Sequence, residues 1–499
     1  MRKHPLAECE SCPLQGEKYV PSVGPENAKL AFVGEAPGST EVRKQEPFVG
    51  PSGELLNRVL AYHGITRSDV RLTNAASCRP RGNDDLPPEA LACCRPRLEA
   101  EISSAERVIA LGRVATEAVL GRKVKILKER VGPPKDNVIP TLHPAYVLRQ
   151  PNSLPELVSD IGKIRYNGTR FYEPKYAVLD NYDDGRRALR DLHRRYNGRP
   201  VVIDVENGVD KDEEFTHAKR LLCLGIAYAP TAAIVLAEPV LRDPRIKQQL
   251  SAVLQSCKLI TQNGKHDLQI LRAVGIEPGP LYFDTMLASY CLDERKGIHG
   301  LDYLAKERLG APDWKADFKA LLGRGKVDYS KAPADALHRY NAYDVAATYA
   351  LYEQFDKQLG GLRGLHDFLV RSSMALIHCE EAGLLVDQHR LSDLQGHYAS
   401  EIQRLESDLS AFVENPRSPK QVMEAFKQLA IKAPNTDKET LAHIAKVGGP
   451  TQRQFAELML EYRKLDKFYG TYIQGIWNRL EQGRVHPTYL LHGTTTGRL

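Results

Sequence analysis

The feature that most constrains this chain is a change in apolar spacing near residue 360. Before it, short aliphatic runs of strand length alternate with helical patterns. After it, strand-length runs all but disappear and charged helical patterns take over. A chain with such a break does not fold as one layered unit. Its 499 residues also exceed what a single hydrophobic core usually organises, which suggests about three domains.

In residues 1–168, Leu30–Val33, Arg71–Thr73, Val108–Leu111 and Val138–Leu142 read as strands, and Ser52–His63, stopped by Gly64, reads as one of the intervening helices. The alternation predicts a parallel sheet with helices on both faces, a three-layer α/β/α domain. Residues 172–360 form a second α/β segment. It opens with the strand Pro200–Val205, continues through a hairpin over Leu221–Ala237 that turns at Pro230 and Thr231, and is then mostly helical. Residues 361–499 are mainly α-helical, with long helices predicted over Tyr398–Glu414 and Gln452–Arg479 and a short strand-like stretch at Arg484–Leu491.

Composition serves chiefly to exclude. Apolar residues make up 42% of the chain and charged residues 26%, which is compatible with ordinary cores and not with wholesale disorder. The net charge of +6 permits a phosphate-backbone partner without requiring one. The longest uncharged run, Leu221–Ala237, is broken at Pro230, so no membrane span and no membrane partner are expected. The start, MRKHPLAECESCPL, lacks the apolar stretch of a secretory signal. Nine cysteines, an odd number spread over a long chain, do not look like a disulfide scaffold, so the expected location is cytoplasmic.

The sharpest chemistry lies in the central segment. In VVIDVEN, Asp204 and Glu206 stand at i and i+2 on a strand, so both carboxylates leave the same face. In ITQNGKHDLQIL a strand ends near Asn263, and Asp267 falls in the first turn of the next helix. In HRYNAYDVAATYALY, Tyr340 and Asp344 share one helical face. Four converging carboxylates carry too much like charge to stay ionised without cations. Oxygen-only donors favour Mg²⁺ or Mn²⁺. Two such ions about 4 Å apart activate a water and stabilise a departing 3′ oxygen. Tyr340 would orient that water. A lone Asp-x-Glu on a strand is most often a solvated pair; the ordered set of three pieces is what gives it weight.

Together these pieces resemble the three exonuclease motifs of the proofreading domain in A-family DNA polymerases, an RNase H-like fold. The Asn-x-x-x-Asp of Asn263–Asp267 and the Tyr-x-x-x-Asp of Tyr340–Asp344 match. The resemblance implies an active 3′→5′ exonuclease that acts on single-stranded 3′ ends, with Asn263 among the substrate contacts. Farther on, EEAGLLVD (Glu380–Asp387), SPKQ (Ser418–Gln421), NTDKETL (Asn435–Leu441), LEYRKLDKFYGTYI (Leu460–Ile473) and a final TTTGRL resemble the thumb at the start of the polymerase domain in the same family. The resemblance implies that Arg498 reaches the minor groove of a primer–template. The palm aspartates and the fingers helix do not occur in these 499 residues, so no DNA synthesis is expected from them alone. A second chain carrying palm and fingers is the expected partner, whether the stop marks a truncation, a split gene or an intein junction.

Near the start, Cys9-x₂-Cys12, Cys78 and one of Cys93 or Cys94 have spacings that suit zinc or an iron–sulfur cluster; a redox pair or plain buried cysteines remain open. Their surroundings, GEAPGSTEVRKQEPFVGPSGELL (Gly34–Leu56), LTNAASCRPRGND (Leu72–Asp84), CRPRLEAEI (Cys94–Ile102) and LHPAYVLR (Leu142–Arg149), resemble family 4 uracil-DNA glycosylases over about the first 165 residues. That resemblance implies a [4Fe-4S] cluster on Cys9, Cys12, Cys78 and Cys94, with zinc as the alternative occupant. Cys94 fits the C-x-P-x-L-x-x-x-I context, and Cys93 keeps an alternative spacing. It further implies that Phe48 stacks under a flipped uracil, Asn74 reads its polar edge, His143 donates to its carbonyl as charge develops, and Glu35 positions or activates water.

Two departures bear on excision. Glu41-Val42 stands where an acidic pair is usual, and Gln45 where a glycine is usual before PFVG. Three functions therefore remain in view: a proofreading nuclease with a uracil-recognition module, a bifunctional nuclease and glycosylase, and a non-catalytic DNA-binding or processivity subunit. Joining a uracil module to a polymerase resembles the arrangement of phage-encoded replicases.

Overall fold

The structure is a computed structural model that describes all residues except 1–2, 84, 167, 169–170, 209–219, 324–327 and 499. Strands β1 (Leu30–Gly34), β2 (Arg71–Asn74), β3 (Arg107–Leu111) and β4 (Val138–Thr141) form a parallel sheet in the order β2-β1-β3-β4. Side chains alternate between its faces. Phe32, Leu72, Ile109 and Ile139 join Leu56 and Leu60 of helix Pro51–Tyr62 and Leu157 of helix Leu154–Gly162 in one core. Ala31, Val33, Val108 and Ala110 meet Leu98 of helix Pro88–Ile102 and Ala115 of helix Arg113–Leu120 on the other side. This is the predicted three-layer arrangement. One charged group is built into it. Arg97 is fully buried and donates to Glu101 (2.6 Å), to Thr73 Oγ1 (2.9 Å) and to the carbonyls of Asn74 (2.6 Å) and Ala75 (3.1 Å). It ties down the end of β2, where Asn74 sits. Removing it would orphan several buried acceptors at once.

The second sheet has six strands in the order β10-β9-β6-β7-β8-β5: β5 (Lys175–Leu179), β6 (Pro200–Gly208), β7 (Arg220–Ala229), β8 (Ala232–Ala237), β9 (Lys258–Thr261) and β10 (Leu281–Asp284). The predicted hairpin is β7–β8, antiparallel and turning at Pro230 and Thr231; β6 pairs antiparallel with β7 and parallel with β9. Val201, Ile203 and Val205 of β6 enter a core beneath helices Tyr182–Tyr196 and Pro244–Ser256. Val202 faces the opposite way, toward Val345 and Ala347 of helix Ala334–Leu359. Asp204 and Glu206 continue the parity of Val202, so the pleat aims them at that helix.

Beyond residue 360, helix Arg363–Ala382 packs Leu369, Val370 and Ile377 into the same core as β6. Helices Gln388–Leu409, Pro419–Gln428, Lys438–Val447 and Pro450–Phe468 then gather Leu405, Phe426, Leu441, Phe455 and Met459 into a core of their own. The helix predicted over 398–414 begins at Gln388, because the Asp387 side chain accepts from Arg390 N as an N-cap, and it ends at Leu409. The helix predicted over 452–479 is regular from Pro450 to Phe468, then widens into a π-helical turn, Tyr469–Gln474.

The stretch predicted as strand-like over 484–491 is corrected. Only Arg484–Val485 pair, antiparallel with Leu384–Leu385. Pro487 has no N–H to continue a ladder, and beyond it the Tyr489 N–H donates to Glu380 Oε1 at 2.7 Å rather than to a neighbouring strand. No helix among the described residues is long and apolar enough to cross a membrane.

Candidate active sites

The first site forms where β6 meets helix Ala334–Leu359. Asp204, Glu206 and Asp344 offer carboxylate oxygens that lie within 4.8 Å of one another. The helix can approach because Asp204 pairs with Gly225 on β7. A side chain at Gly225 would overlap Asn341 and Val345, so the glycine is needed here for close packing. Asn341 donates from Nδ2 to Asp204 Oδ2 at 2.8 Å and so fixes that carboxylate. Asp344 accepts from Trp314 Nε1 (2.7 Å) and from Lys315 Nζ (2.6 Å), and the same ammonium donates to Tyr340 OH at 3.1 Å.

Asp267 lies in the first turn of helix Gly264–Ala273, which follows Asn263 in left-handed backbone (φ 67°). The carboxylate of Asp284 accepts the Gly264 N–H at 2.8 Å and the Asn263 N–H at 3.3 Å, and so ties that turn. Asp267 is buried, and its Oδ2 has no hydrogen-bond partner among the described residues.

The electrostatics match a crowded anionic site. Burial, followed by the Asp344 charge, raises Asp204 to about 7, with Lys315 and Asn341 opposing. Burial, followed by the Asp204 charge, raises Glu206 and Asp267 well above the usual carboxylate range. Burial and the Asp344 charge also push the Tyr340 phenol up, so it stays protonated; its ring stacks on Phe318 at 4.4 Å. An octahedral Mg²⁺ or Mn²⁺ ion with oxygens at about 2.1 Å sets neighbouring oxygens about 3.0 Å apart, so the three carboxylates, already within 4.8 Å of one another, would close in around it. The orphaned Asp267 oxygen is a further hard donor nearby. The residues present fit divalent cations.

All five of the predicted residues Asp204, Glu206, Asp267, Tyr340 and Asp344 come to this region. Asn263 does not join them: it is exposed and lines a neighbouring cleft with His266, Gln269 and Thr488. Trp314, Lys315 and Asn341 are contacts that sequence reasoning missed. Asn341 had a signal, since it shares the i, i+3 face with Asp344. Trp314 and Lys315 sit on a separate short helix, and no spacing pointed to them.

The second site lies at the carboxyl ends of β1, β2 and β4. Phe48, Asn74 and Gly34 converge so closely that a side chain at Gly34 would overlap both Asn74 Oδ1 and the Phe48 ring. Phe48 itself is in left-handed backbone (φ 55°). Its loop is held by Glu41, whose carboxylate accepts from Val49 N (3.1 Å) and Gly50 N (2.8 Å), and by Arg67, which donates to Pro47 O at 2.7 Å.

Glu35, which follows Gly34 in the chain, lines a cleft of about 330 Å³ with Arg113, His143 and Tyr146. His143 is the N-cap of helix Pro144–Arg149 and accepts the Ala145 N–H on Nδ1 at 3.1 Å. That bond places the ring proton on Nε2. Burial first, and Arg149 second, push its pKa down to about 4, so the ring is neutral at physiological pH. Burial raises the Glu35 carboxyl, with Arg113 opposing and Asp85 reinforcing. Gln45, at the position where glycine was expected, adopts φ 56° and ψ 35°, and its Nε2 donates to Val42 O at 2.8 Å.

Cys9, Cys12, Cys78, Cys93 and Cys94 all line one apolar cavity, the last two from helix Pro88–Ile102. Burial raises the Cys12 and Cys78 thiols; the Cys94 field reaches both, and the Cys93 field reaches Cys12. A tetrahedral zinc at 2.3 Å from each sulfur would draw thiolates to about 3.8 Å of one another. Among the described residues no group of three cysteines lies within 4.8 Å, the carboxylate trio being the one such cluster of metal-ligating types. The all-cysteine donor set suits an iron–sulfur cluster or zinc. Arg498 is exposed at the other end of the chain, its carbonyl accepting from Thr494 Oγ1 at 2.8 Å.

Comparison with known proteins matches three successive stretches of the chain to three families. The family model for the uracil DNA glycosylase superfamily matches residues 21–161, that for 3′-5′ exonuclease matches 184–360, and that for DNA polymerase family A matches 388–499. The type-4 uracil-DNA glycosylase of Archaeoglobus fulgidus is 37% identical over 174 residues, which are 32% of this chain and 87% of that protein. DNA polymerase I of Rhizobium leguminosarum is 30% identical over 275 residues, 51% of this chain but only 26% of that protein. Among solved structures, the POL domain of Pol1 from M. smegmatis, in complex with DNA primer-template and dNTP, is 21% identical with a TM-score of 0.47, covering 65% of this chain and 54% of that one.

Proposed function

Through its first third the chain belongs to the type-4 uracil-DNA glycosylase family, and we propose that it joins uracil recognition to a 3′→5′ proofreading exonuclease of a DNA-replicating A-family polymerase. The domains assigned are residues 1–168, 172–360 and 361–499. The observation that carries the nuclease reading is the meeting of Asp204, Glu206 and Asp344 within 4.8 Å beside the orphaned oxygen of Asp267. These four residues would hold two Mg²⁺ or Mn²⁺ ions, which polarise a water and the scissile phosphodiester when bound. Tyr340, kept as a phenol, orients the attacking water. Water adds to phosphorus, the P–O3′ bond breaks, and the 3′ oxygen leaves with a proton. Trp314 and Asn341 hold Asp344 and Asp204 in place for this step. Asn263 contacts the single strand at the edge of the site. The helical residues 361–499 grip the primer–template duplex, with Arg498 toward its minor groove. DNA synthesis itself calls for palm and fingers, on the same polypeptide or on a second one. Divalent-ion-dependent shortening of a 3′-labelled single strand, abolished in Asp204→Ala, tests the nuclease. Shortening that survives in that variant, or without divalent ions, refutes it.

Uracil excision is favoured by a separate observation, the neutral His143 with its proton fixed on Nε2. The imidazole donates to the uracil carbonyl that gains negative charge as the N-glycosidic bond breaks. Phe48 supports the flipped base, Asn74 reads its edge, and Glu35 takes the proton from water that adds to the sugar carbon. Cys9, Cys12, Cys78 and Cys94 would hold a [4Fe-4S] cluster that braces the cavity wall. A broad visible absorption band from anaerobically purified protein supports the cluster, and colourless zinc-loaded protein counts against it. Release of free uracil from a uracil-containing oligonucleotide, lost in His143→Ala, tests excision.

A further inference from the structure

Asp344 differs from the other three carboxylates because each of its oxygens accepts from one of two consecutive residues on a separate helix, Trp314 and Lys315. Trp314 is itself clamped, its ring stacked on Phe171 at 5.3 Å and 15°. Lys315 reaches farther. Its ammonium bonds Asp344, donates to Tyr340 OH at 3.1 Å, and lies 5.0 Å from the centroid of the Tyr340 ring. Its side chain is only 15% exposed. Among the described residues this is the sole ion pair made by any of the four carboxylates. A cation of the protein's own therefore sits against the carboxylate trio and the tyrosine together.

We propose that Lys315 is a positioning residue and built-in counter-ion of the exonuclease site. It holds Asp344 and Tyr340 in register with Asp204 and Glu206, and yields the Asp344 oxygen to an entering divalent ion. The inference rests on the exonuclease reading and adds a role for a residue outside its motifs. Two consequences follow, of opposite sign. The ammonium competes with the ion for Asp344 and repels it, so the site binds metal more weakly than its carboxylates alone would. The same ammonium pins the Tyr340 hydroxyl, so the reaction is faster with it than without it. A merely structural ion pair has neither signature: its loss weakens metal binding and turnover together.

The test uses the full chain and Mn²⁺. Free Mn²⁺ is read by electron paramagnetic resonance without DNA, and turnover is read on a 3′-labelled single strand at saturating Mn²⁺. In Lys315→Met, Mn²⁺ binding tightens by about tenfold while saturated turnover falls by about tenfold. Lys315→Arg, which keeps the charge, returns Mn²⁺ binding to within about twofold of the native value. Should Lys315→Met prove poorly folded, Lys315→Gln removes the charge while keeping a donor, and its Mn²⁺ binding is expected to tighten in the same direction. Mn²⁺ binding that weakens or stays unchanged on loss of the charge overturns the proposal, as does saturated turnover equal to native. A native protein that degrades no 3′ strand counts against the exonuclease reading. The DNA-free Mn²⁺ comparison still judges Lys315 alone.

Discussion

The two sites sit on comparable α/β scaffolds and reach reactivity by opposite means. The exonuclease site places its carboxylates on regular elements, β6 and the helices Gly264–Ala273 and Ala334–Leu359, and concentrates charge there. The uracil site is built from loops in strained backbone, at Gln45 and Phe48, and keeps its key imidazole uncharged. Charge can be carried by rigid strands and helices because ions supply the final geometry. A planar base must instead be matched by shape, and shape at strand ends requires unusual turns. One site is therefore expected to be sensitive to charge and metal, the other to loop conformation.

The sharpest way to break this contrast is to remove one carboxylate. In Asp204→Ala, 3′-strand degradation should fall roughly a thousand-fold, several kcal/mol of transition-state stabilisation, while uracil release stays near native. Parallel assays on the same preparation decide it; a joint loss would mean the sites are not independent. Next, His143→Ala should lower uracil release by about a hundred-fold and leave the nuclease intact.

His143 also sets a pH signature. Its folded pKa, about 4, lies below the unfolded value of 6.5. Neutral imidazole therefore persists down to about pH 4 in the folded protein, and uracil release should show no inflection near 6.5. The stability contributed by this group is complete above pH 6.5 and is lost as pH falls from there toward 4, because the unfolded chain then binds the extra proton. An inflection of the native rate near 6.5 that vanishes in His143→Ala would show a charged imidazole and remove the contrast.

How much of this was legible beforehand differs between the sites for the same reason. The carboxylates could be read because strand and helix periodicities fix which residues share a face; Asp204, Glu206, Tyr340 and Asp344 met as their spacing required. Lys315 and Trp314 could not be read, since their approach depends on how a short helix packs in three dimensions. β5 was missed too: its residues Lys175–Val178 are exposed and carry no strong buried pattern. In the uracil site, the motif blocks located Phe48 and His143. The left-handed turn at Gln45 was hidden, because sequence shows a glycine's absence without showing whether the backbone has changed to suit the replacement.

A smaller effect sharpens the electrostatic half. Glu206 is raised by burial and by the Asp204 charge. Its folded pKa lies above the unfolded value, so in the metal-free protein its contribution to stability is complete below about pH 4.5 and is lost as pH rises. Glu206→Gln removes that repulsion, and the metal-free variant should melt a few degrees above native at pH 8. It should also lose most of the Mn²⁺-induced rise, which for native protein at a hundredfold excess over Kd amounts to about 2.7 kcal/mol. Thermal melts with and without Mn²⁺ give both numbers. A variant less stable than native without metal would show that Glu206 is stabilising rather than repelled.

The smallest effect probes the loop half. Gln45 occupies left-handed backbone (φ 56°), which costs a non-glycine residue about 1–2 kcal/mol. Glycine removes that strain but adds unfolded-chain entropy of about 0.5–1 kcal/mol. It also gives up the bond from Gln45 Nε2 to Val42 O, which is exposed and worth little. The net for Gln45→Gly is a stabilisation of about 0.5 kcal/mol, or a degree or two in Tm for a domain of this size. Uracil release should stay within about twofold of native, because Glu41 and Arg67 still hold the loop that carries Phe48. A fall in Tm would mean that the turn is relaxed around glutamine, leaving the strained-loop half of the comparison to rest on Phe48 alone.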